Sequence, residues 1–158
     1  MPTFNTYTVG GTTVATGALA NNGIATLWNP SATKRLTVTS FGIVAIAAPG
    51  AGAGIRVARL TARGTPGSTV TPLANNRGDG SVAPQSGALL DLATYTVQPT
   101  LATPAMESWV LAAVIGSGVI LPLNNGLGYD LLPGTGLAIV TRAAIIVPAC
   151  EVFFTFEE

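Results

Sequence analysis

A serine and a lysine stand at the spacing of an acyl-transfer motif in Ser31-Ala32-Thr33-Lys34. This S-x-x-K spacing occurs in serine acyl-transferases, where the lysine helps to activate a serine that opens a helix. Here the tetrapeptide follows the turn Asn29-Pro30 and leads into an alternating strand, and neither partner motif of that class is present. The chain has no histidine, which excludes serine–histidine catalysis and imidazole metal sites. We therefore predict a solvated turn at this position and no enzymatic activity.

Phosphate and metal chemistry have no better support in the residue pattern. The glycines of Gly50-Ala51-Gly52-Ala53-Gly54 lack the G-x-G-x-x-G spacing of a dinucleotide-binding loop, and they lead into a strand instead of a helix. The acidic residues are scattered, so no short loop gathers oxygen ligands. The single cysteine, Cys150, excludes an internal disulfide and a cysteine-based zinc site. We expect no catalytic, cofactor-binding or metal-binding residues and no cofactor.

The tripeptide Arg77-Gly78-Asp79 is one that many integrin ligands display on an exposed loop. It falls in residues 63–86, which are rich in proline and glycine and show hardly any periodicity, so we predict a long loop there. The same three residues also compose a plain turn in which the aspartate caps local amides. Arg77 and Asp79 are candidate assembly contacts, and receptor binding and a plain turn both stay open.

The charge content restricts the kinds of partner. Charged residues make up 9% of the chain and the net charge is zero, against about 25% charged residues in a typical soluble domain. With seven scattered basic residues there is no footprint for nucleic acid. The longest apolar segment, Trp109 to Leu123, is interrupted by glycines and a proline and is shorter than the roughly 20 residues of a spanning helix. We expect no nucleic-acid partner, no membrane partner and no signal peptide.

Period-two alternation predicts the fold. Leu36 and Val38 alternate with threonines, and Cys150, Val152, Phe154 and Phe156 form a last alternating strand. Turn residues recur at short intervals and no segment shows helical periodicity. We predict one all-β domain over residues 1–158, a single-domain β-sandwich with jelly-roll-like connections and about eight or nine strands, and a bulge at Gly42. The predicted core comprises Leu36, Val38, Val44, Trp109, Leu111, Ile139, Val152 and Phe154.

The strand faces that should meet water carry few charges. They are built from small or hydroxylated residues, among them Thr37, Thr39, Ala58, Ala112 and Ala144. Exposed faces of this kind favour association, so we predict a homo-oligomer, with a trimer as the expected size. The alternative is a monomer made soluble by its hydroxyl groups and loops.

The N-terminal segment, residues 1–9, is a candidate arm. Its only large side chains are Phe4 and Tyr7, and no charged residue precedes Lys34. An extended arm can add to the sheet edge of a neighbour, so we name Phe4 and Tyr7 as candidate assembly contacts. The alternative is that this segment is the first strand of the chain's own sheet.

Several patches resemble small virion proteins of tailed bacteriophages. They are Leu27-Trp28-Asn29-Pro30-Ser31, Lys34-Arg35-Leu36-Thr37-Val38, Leu132-Pro133-Gly134-Thr135-Gly136-Leu137 and Val152-Phe153-Phe154-Thr155-Phe156-Glu157-Glu158. The resemblance implies a jelly roll or related sandwich, a trimer, and a capsid decoration (cement) protein. Such a protein is made in the host cytoplasm, binds the major capsid protein at the capsid surface and stabilises the phage head without catalysis. The resemblance carries over no individual binding residue.

Two other functions stay open on the sequence. A tail-fibre or spike-tip protein would bind a host receptor through residues 63–86. A carbohydrate-binding sandwich would need an aromatic platform, and aromatic residues make up only 6% of the chain, with none in that loop.

Overall fold

Every regular element of the protein is a β-strand in the residues that the structure describes. The structure is a computed structural model, and it describes residues 5–48, 50–74, 83–123 and 128–158. The strands are β1 (Thr6–Thr12), β2 (Gly23–Asn29), β3 (Leu36–Ala45), β4 (Ala53–Ala62), β5 (Ser68–Val70), β6 (Leu73–Ala74), β7 (Leu89–Leu92), β8 (Thr100–Leu101), β9 (Glu107–Leu111), β10 (Gly118–Pro122), β11 (Tyr129–Leu131), β12 (Thr135–Thr141) and β13 (Cys150–Glu157).

The strands form two antiparallel sheets packed face to face. The first sheet has the order β10-β3-β13-β1-β6, with β11 also paired to β3. The second has the order β5-β7-β2-β12-β4-β8, with β9 also paired to β4. The predicted all-β sandwich is confirmed, while the jelly-roll connectivity stays a prediction. The strands outnumber the predicted eight or nine because β5, β6, β8 and β11 are only two or three residues long and show no alternation in sequence.

One apolar core fills the space between the sheets. Of the predicted core residues, Leu36, Val38, Leu111, Ile139, Val152 and Phe154 are buried. Trp109 is half-buried and meets the ring of Phe41 edge-on, with the ring centres 5.9 Å apart. The alternation read from the sequence therefore identified the inward face of β13 and that of β3 as far as Val38.

The prediction that Val44 belongs to the core is wrong, because the bulge in β3 lies at Thr39 and not at Gly42. Phe156 pairs with Val38 and Thr155 with Ser40, which leaves Thr39 as the extra residue. The inward positions beyond the bulge therefore have odd numbers, and Ile43 is buried where Val44 is not.

Gly42 has a different role, since it lies beneath the ring of Phe153. A side chain at Gly42 would collide with that ring. The aromatic side chain thus covers the backbone of the neighbouring strand on the outer face of the first sheet.

The N-terminal segment completes the chain's own sheet. Residues 6–9 belong to β1, which pairs along its whole length with β13 and also with β6. Tyr7 is fully buried and stacks on Phe156 with ring centres 5.3 Å apart. Tyr7 is therefore unavailable as an assembly contact, and the arm predicted for residues 1–9 is corrected to a first strand from Thr6 onward. Phe4 lies outside the described residues.

The stretch predicted as a long loop, 63–86, is partly ordered into the sandwich. It contains β5, which pairs with β7, and β6, which pairs with β1. Arg63 also binds Asp91 of β7 through two bonds, Nε to Oδ2 at 2.6 Å and an η nitrogen to Oδ1 at 2.7 Å. Arg77 and Asp79 lie outside the described residues.

The two sheets differ in how their outer faces are covered. The second sheet is overlaid by residues 95–101: Tyr95 lies over Gly23, and Leu101 packs on Leu60, Ala138 and Val140. Within β1 and β13 of the first sheet, by contrast, every outward side chain is at least partly exposed. The outer face of the first sheet is therefore exposed along β1 and β13, and we call it the open face.

All three tyrosines of the chain have a raised pKa. Burial is the main cause in each, and the Glu158 carboxylate adds to it at Tyr7. At Tyr129, burial and a 2.6 Å hydrogen bond to Glu107 raise the pKa to about 12.

We expect the folded protein to hold its tyrosine protons above pH 10. A raised folded-state pKa means that the unfolded chain loses protons first, so the free energy of unfolding stays constant below pH 10 and falls between pH 10 and 12. Absorbance at 295 nm should show ionisation only together with alkaline unfolding followed by circular dichroism. Tyrosine ionisation near pH 10 in the folded state would contradict this prediction, and the guanidinium-unfolded chain is the control.

Candidate assembly surface

Four interstrand loops meet at one end of the sandwich, which we call the apolar end. Antiparallel pairing brings them together: the last residue of β1, Thr12, pairs with Glu151, and the last residue of β3, Ala45, pairs with Cys150. The apolar end consists of residues 13–22, 46–52, 112–117 and 142–149, all of them described except Pro49.

The apolar end contains almost no charge and much exposed aliphatic surface. Arg142 is its only charged residue. Six large aliphatic side chains within it are between 41% and 68% exposed: Val14, Leu19, Ile46, Val114, Ile115 and Ile146. Soluble monomers rarely leave large apolar patches in water, so this end of the sandwich is the candidate assembly surface.

A groove of about 640 Å³ runs across the apolar end. No charged side chain lines it, so it suits aliphatic side chains of a protein partner better than a polar ligand. Its walls are formed by Ala15, Ala18, Ala47, Ala48, Gly50, Ala51, Ala144, Ile145, Ile146, Pro148 and Ala149.

Two buried threonines fix the loops of the apolar end to each other. The Thr13 amide donates to the Cys150 carbonyl at 2.8 Å, and the Thr13 hydroxyl accepts from the Cys150 amide at 3.1 Å. Thr16 repeats this reciprocal pattern with Val147, at 2.9 and 3.0 Å. Residues 13–22 and 142–149 are therefore held together within the subunit, an arrangement that would lower the entropic cost of association.

Cys150 lies beneath this surface as a buried core residue. Its thiol donates to the carbonyl oxygen of Pro148 at 3.3 Å. Burial raises the pKa of the Cys150 thiol to about 11, so the reactive thiolate is scarce at neutral pH.

The most exposed aliphatic side chain of the apolar end, Ile115, stands on a tight turn. The amide of Gly116 donates to the carbonyl of Ala45 at 2.8 Å, and the amide of Ala112 donates to the hydroxyl of Ser117 at 2.6 Å. Gly116 has a φ of 82°, a left-handed conformation that glycine adopts without strain. The turn holds Ile115 in solvent at 68% exposure.

The Ser31–Lys34 motif forms a turn, as its sequence context predicts. The Ser31 hydroxyl accepts the amides of Thr33 and Lys34 at 3.1 and 2.8 Å, so it serves as a cap for its own turn. Among the described residues, no three His, Cys, Asp or Glu side chains come close enough to share a metal ion.

The apolar end was not identified from the sequence, although two of its residues were. Ala112 and Ala144 were named as weakly charged positions, and both are exposed there. Ala58, which was named with them, is buried on the outer face of the second sheet, where residues 95–101 cover it. The sequence feature that could have indicated the apolar end is the scarcity of charged residues in each of the four loops. Only the topology shows that these loops lie at the same end of the sandwich.

Comparison with known proteins identifies no relative: no family model, no curated protein and no solved structure matches the chain. Within the described part of the chain, no helix has the length and hydropathy needed to cross a membrane.

We expect Thr13→Val and Thr16→Val each to lower the free energy of unfolding by about 1–3 kcal/mol, because each leaves a buried amide without its acceptor. Urea denaturation measures the loss. Thr12→Val is the matched control: its hydroxyl binds Glu151 at an exposed site, so its effect should stay within about 0.5 kcal/mol. Equal effects for the three variants would show that the buried threonines do not hold the loops.

Proposed function

We propose that this protein is a non-enzymatic structural protein of a virion, a capsid decoration (cement) protein that stabilises a phage head. The observation that carries the proposal is the apolar end, a preformed surface with a single charged residue and six exposed large aliphatic side chains. A protein whose task is to hold neighbours together needs such a surface more than it needs a deep polar pocket.

The proposed assembly is a homotrimer bound to the major capsid protein at the capsid surface, with the sandwich connected in the jelly-roll manner. Fully burying one exposed valine, leucine or isoleucine contributes about 1.5–3 kcal/mol. The six side chains are between 41% and 68% exposed, so burying the rest of each would contribute part of that free energy and favour association through this end.

We expect the protein to have three times its monomer mass of 15.9 kDa in light scattering coupled to gel filtration. Ile115→Asp should raise the dissociation constant about a hundredfold, because a carboxylate would be placed in an apolar contact. Ile146→Asp tests a second loop of the same surface. The matched control is Leu132→Asp, since Leu132 is 50% exposed but lies at the opposite end of the sandwich.

The functional proposal is tested by locating the protein in the virion that carries it. Heads and tails are separated after mild dissociation, and an antibody to the recombinant protein is applied to both fractions. Recovery with expanded heads supports a decoration protein. Recovery with tails alone would overturn it in favour of the tail-fibre or spike-tip alternative.

A further inference from the structure

An exposed carboxylate flanks the apolar end on the open face of the first sheet. Glu151 is exposed, and it points outward because its neighbours Cys150 and Val152 point into the core. One of its oxygens accepts the Thr12 hydroxyl at 2.6 Å. Ile120, on the same face, is 61% exposed.

The one charged residue of the apolar end, Arg142, is exposed and lies at its border on the opposite face of the sandwich. Arg142 follows β12, and its amide donates to the carbonyl of Gly54 at 2.8 Å. Its side chain lies over Gly54, where a Cβ would stand 3.3 Å from the Arg142 Cβ. Val110 pairs with Gly54 from the other side and is 66% exposed. The outer face of the second sheet therefore carries a charged residue and an exposed aliphatic side chain, as the first sheet does with Glu151 and Ile120, but here the charge is positive.

Neither charge is neutralised within the described part of the subunit. The ion pairs found there are Arg35–Asp130 and Arg63–Asp91, and both lie outside the apolar end. Because Glu151 and Arg142 project from opposite faces of the sandwich, a neighbour packed on one face can contact only one of them.

We infer that copies of this chain associate head to tail, so that Glu151 of one subunit lies against Arg142 of the next. This inference rests on the self-association in the proposed function and specifies its geometry. Each contact places the open face of the first sheet, with Ile120 and Phe153, against the surface around Arg142 on the second sheet of the neighbour, and the loops of the apolar end that border both surfaces lie within the contact.

Charge complementarity selects a second copy as the occupant. The open face offers Glu151 beside apolar side chains, and the edge around Gly54 offers Arg142 beside Val110. A twofold contact between two open faces would leave both Arg142 side chains outside the contact, so that neither could face Glu151. A head-to-tail contact instead matches opposite charges at every interface and closes into a ring when the rotation allows it. Exposed ion pairs of this kind fix orientation, while the apolar end supplies the affinity.

The test uses the single variants Glu151→Arg and Arg142→Glu and the double variant that carries both. Each single variant opposes like charges at every interface, so the dissociation constant of the oligomer should rise about tenfold. The double variant restores opposite charges in reversed order and should return the constant to within about twofold of the wild type. Sedimentation equilibrium measures all four proteins, and circular dichroism confirms that each is folded.

Lys34→Glu is the charge-reversal control, because Lys34 is exposed in the turn at the opposite end of the sandwich, outside both surfaces of the inferred contact, and should leave association unchanged. Single variants without effect, or a double variant that is not restored, would overturn the head-to-tail pairing. If Ile115→Asp still dissociates the oligomer in that case, self-association through the apolar end stands and only its geometry fails. A monomeric wild type would overturn both.

Discussion

The strand β13 is the constraint on which the rest of the structure depends. It pairs with β1 along the whole of that strand and with β3 on its other side, so it fixes the register of the first sheet. Its inward residues, Cys150, Val152, Phe154 and Phe156, close the core. A slip of one residue would turn these side chains to solvent and the glutamates inward. Because Phe154 and Phe156 are buried, the alternation of the strand places Glu151, an odd number of residues away from both, on the outer face.

The two sheets differ in how far their outer faces are covered. The second sheet is covered on its outer side, and the Arg63–Asp91 pair ties the start of the 63–86 stretch to it through a carboxylate that is fully buried. Tyr95 covers that region as well, and its hydroxyl donates to the backbone carbonyl of Asp91 at 3.1 Å. Among the described residues none covers β1 and β13 of the first sheet in this way, and their outward residues are at least partly exposed. This asymmetry leaves the outer face of the first sheet more exposed than that of the second.

The sequence predicted the elements whose alternation is strong and missed the features that depend on topology. The alternation of β13 identified the core, whereas Val44 was misplaced because the segment after Thr39 is apolar on both faces and conceals the shift of one residue. Tyr7 looked like part of an arm because threonines surround it, although Thr6 and Thr8 are the outward partners of an inward Tyr7. The apolar end could not be found residue by residue, since each of its loops is an ordinary turn until antiparallel pairing brings the four together.

The few charged residues of the chain are distributed unevenly between the two ends of the sandwich. At the end opposite the apolar loops, Arg35 binds Asp130 at 3.2 Å and Arg59 donates to the Asp130 carbonyl, so charged groups lie there in contact with water. The loops of the apolar end carry only Arg142. A subunit with this polarity exposes apolar side chains as a monomer, yet it is well suited to a closed assembly in which the apolar ends converge and the charged ends face solvent. Composition alone could not show this arrangement, in which the loops of one end hold a single charged residue and the other end holds the Arg35–Asp130 pair.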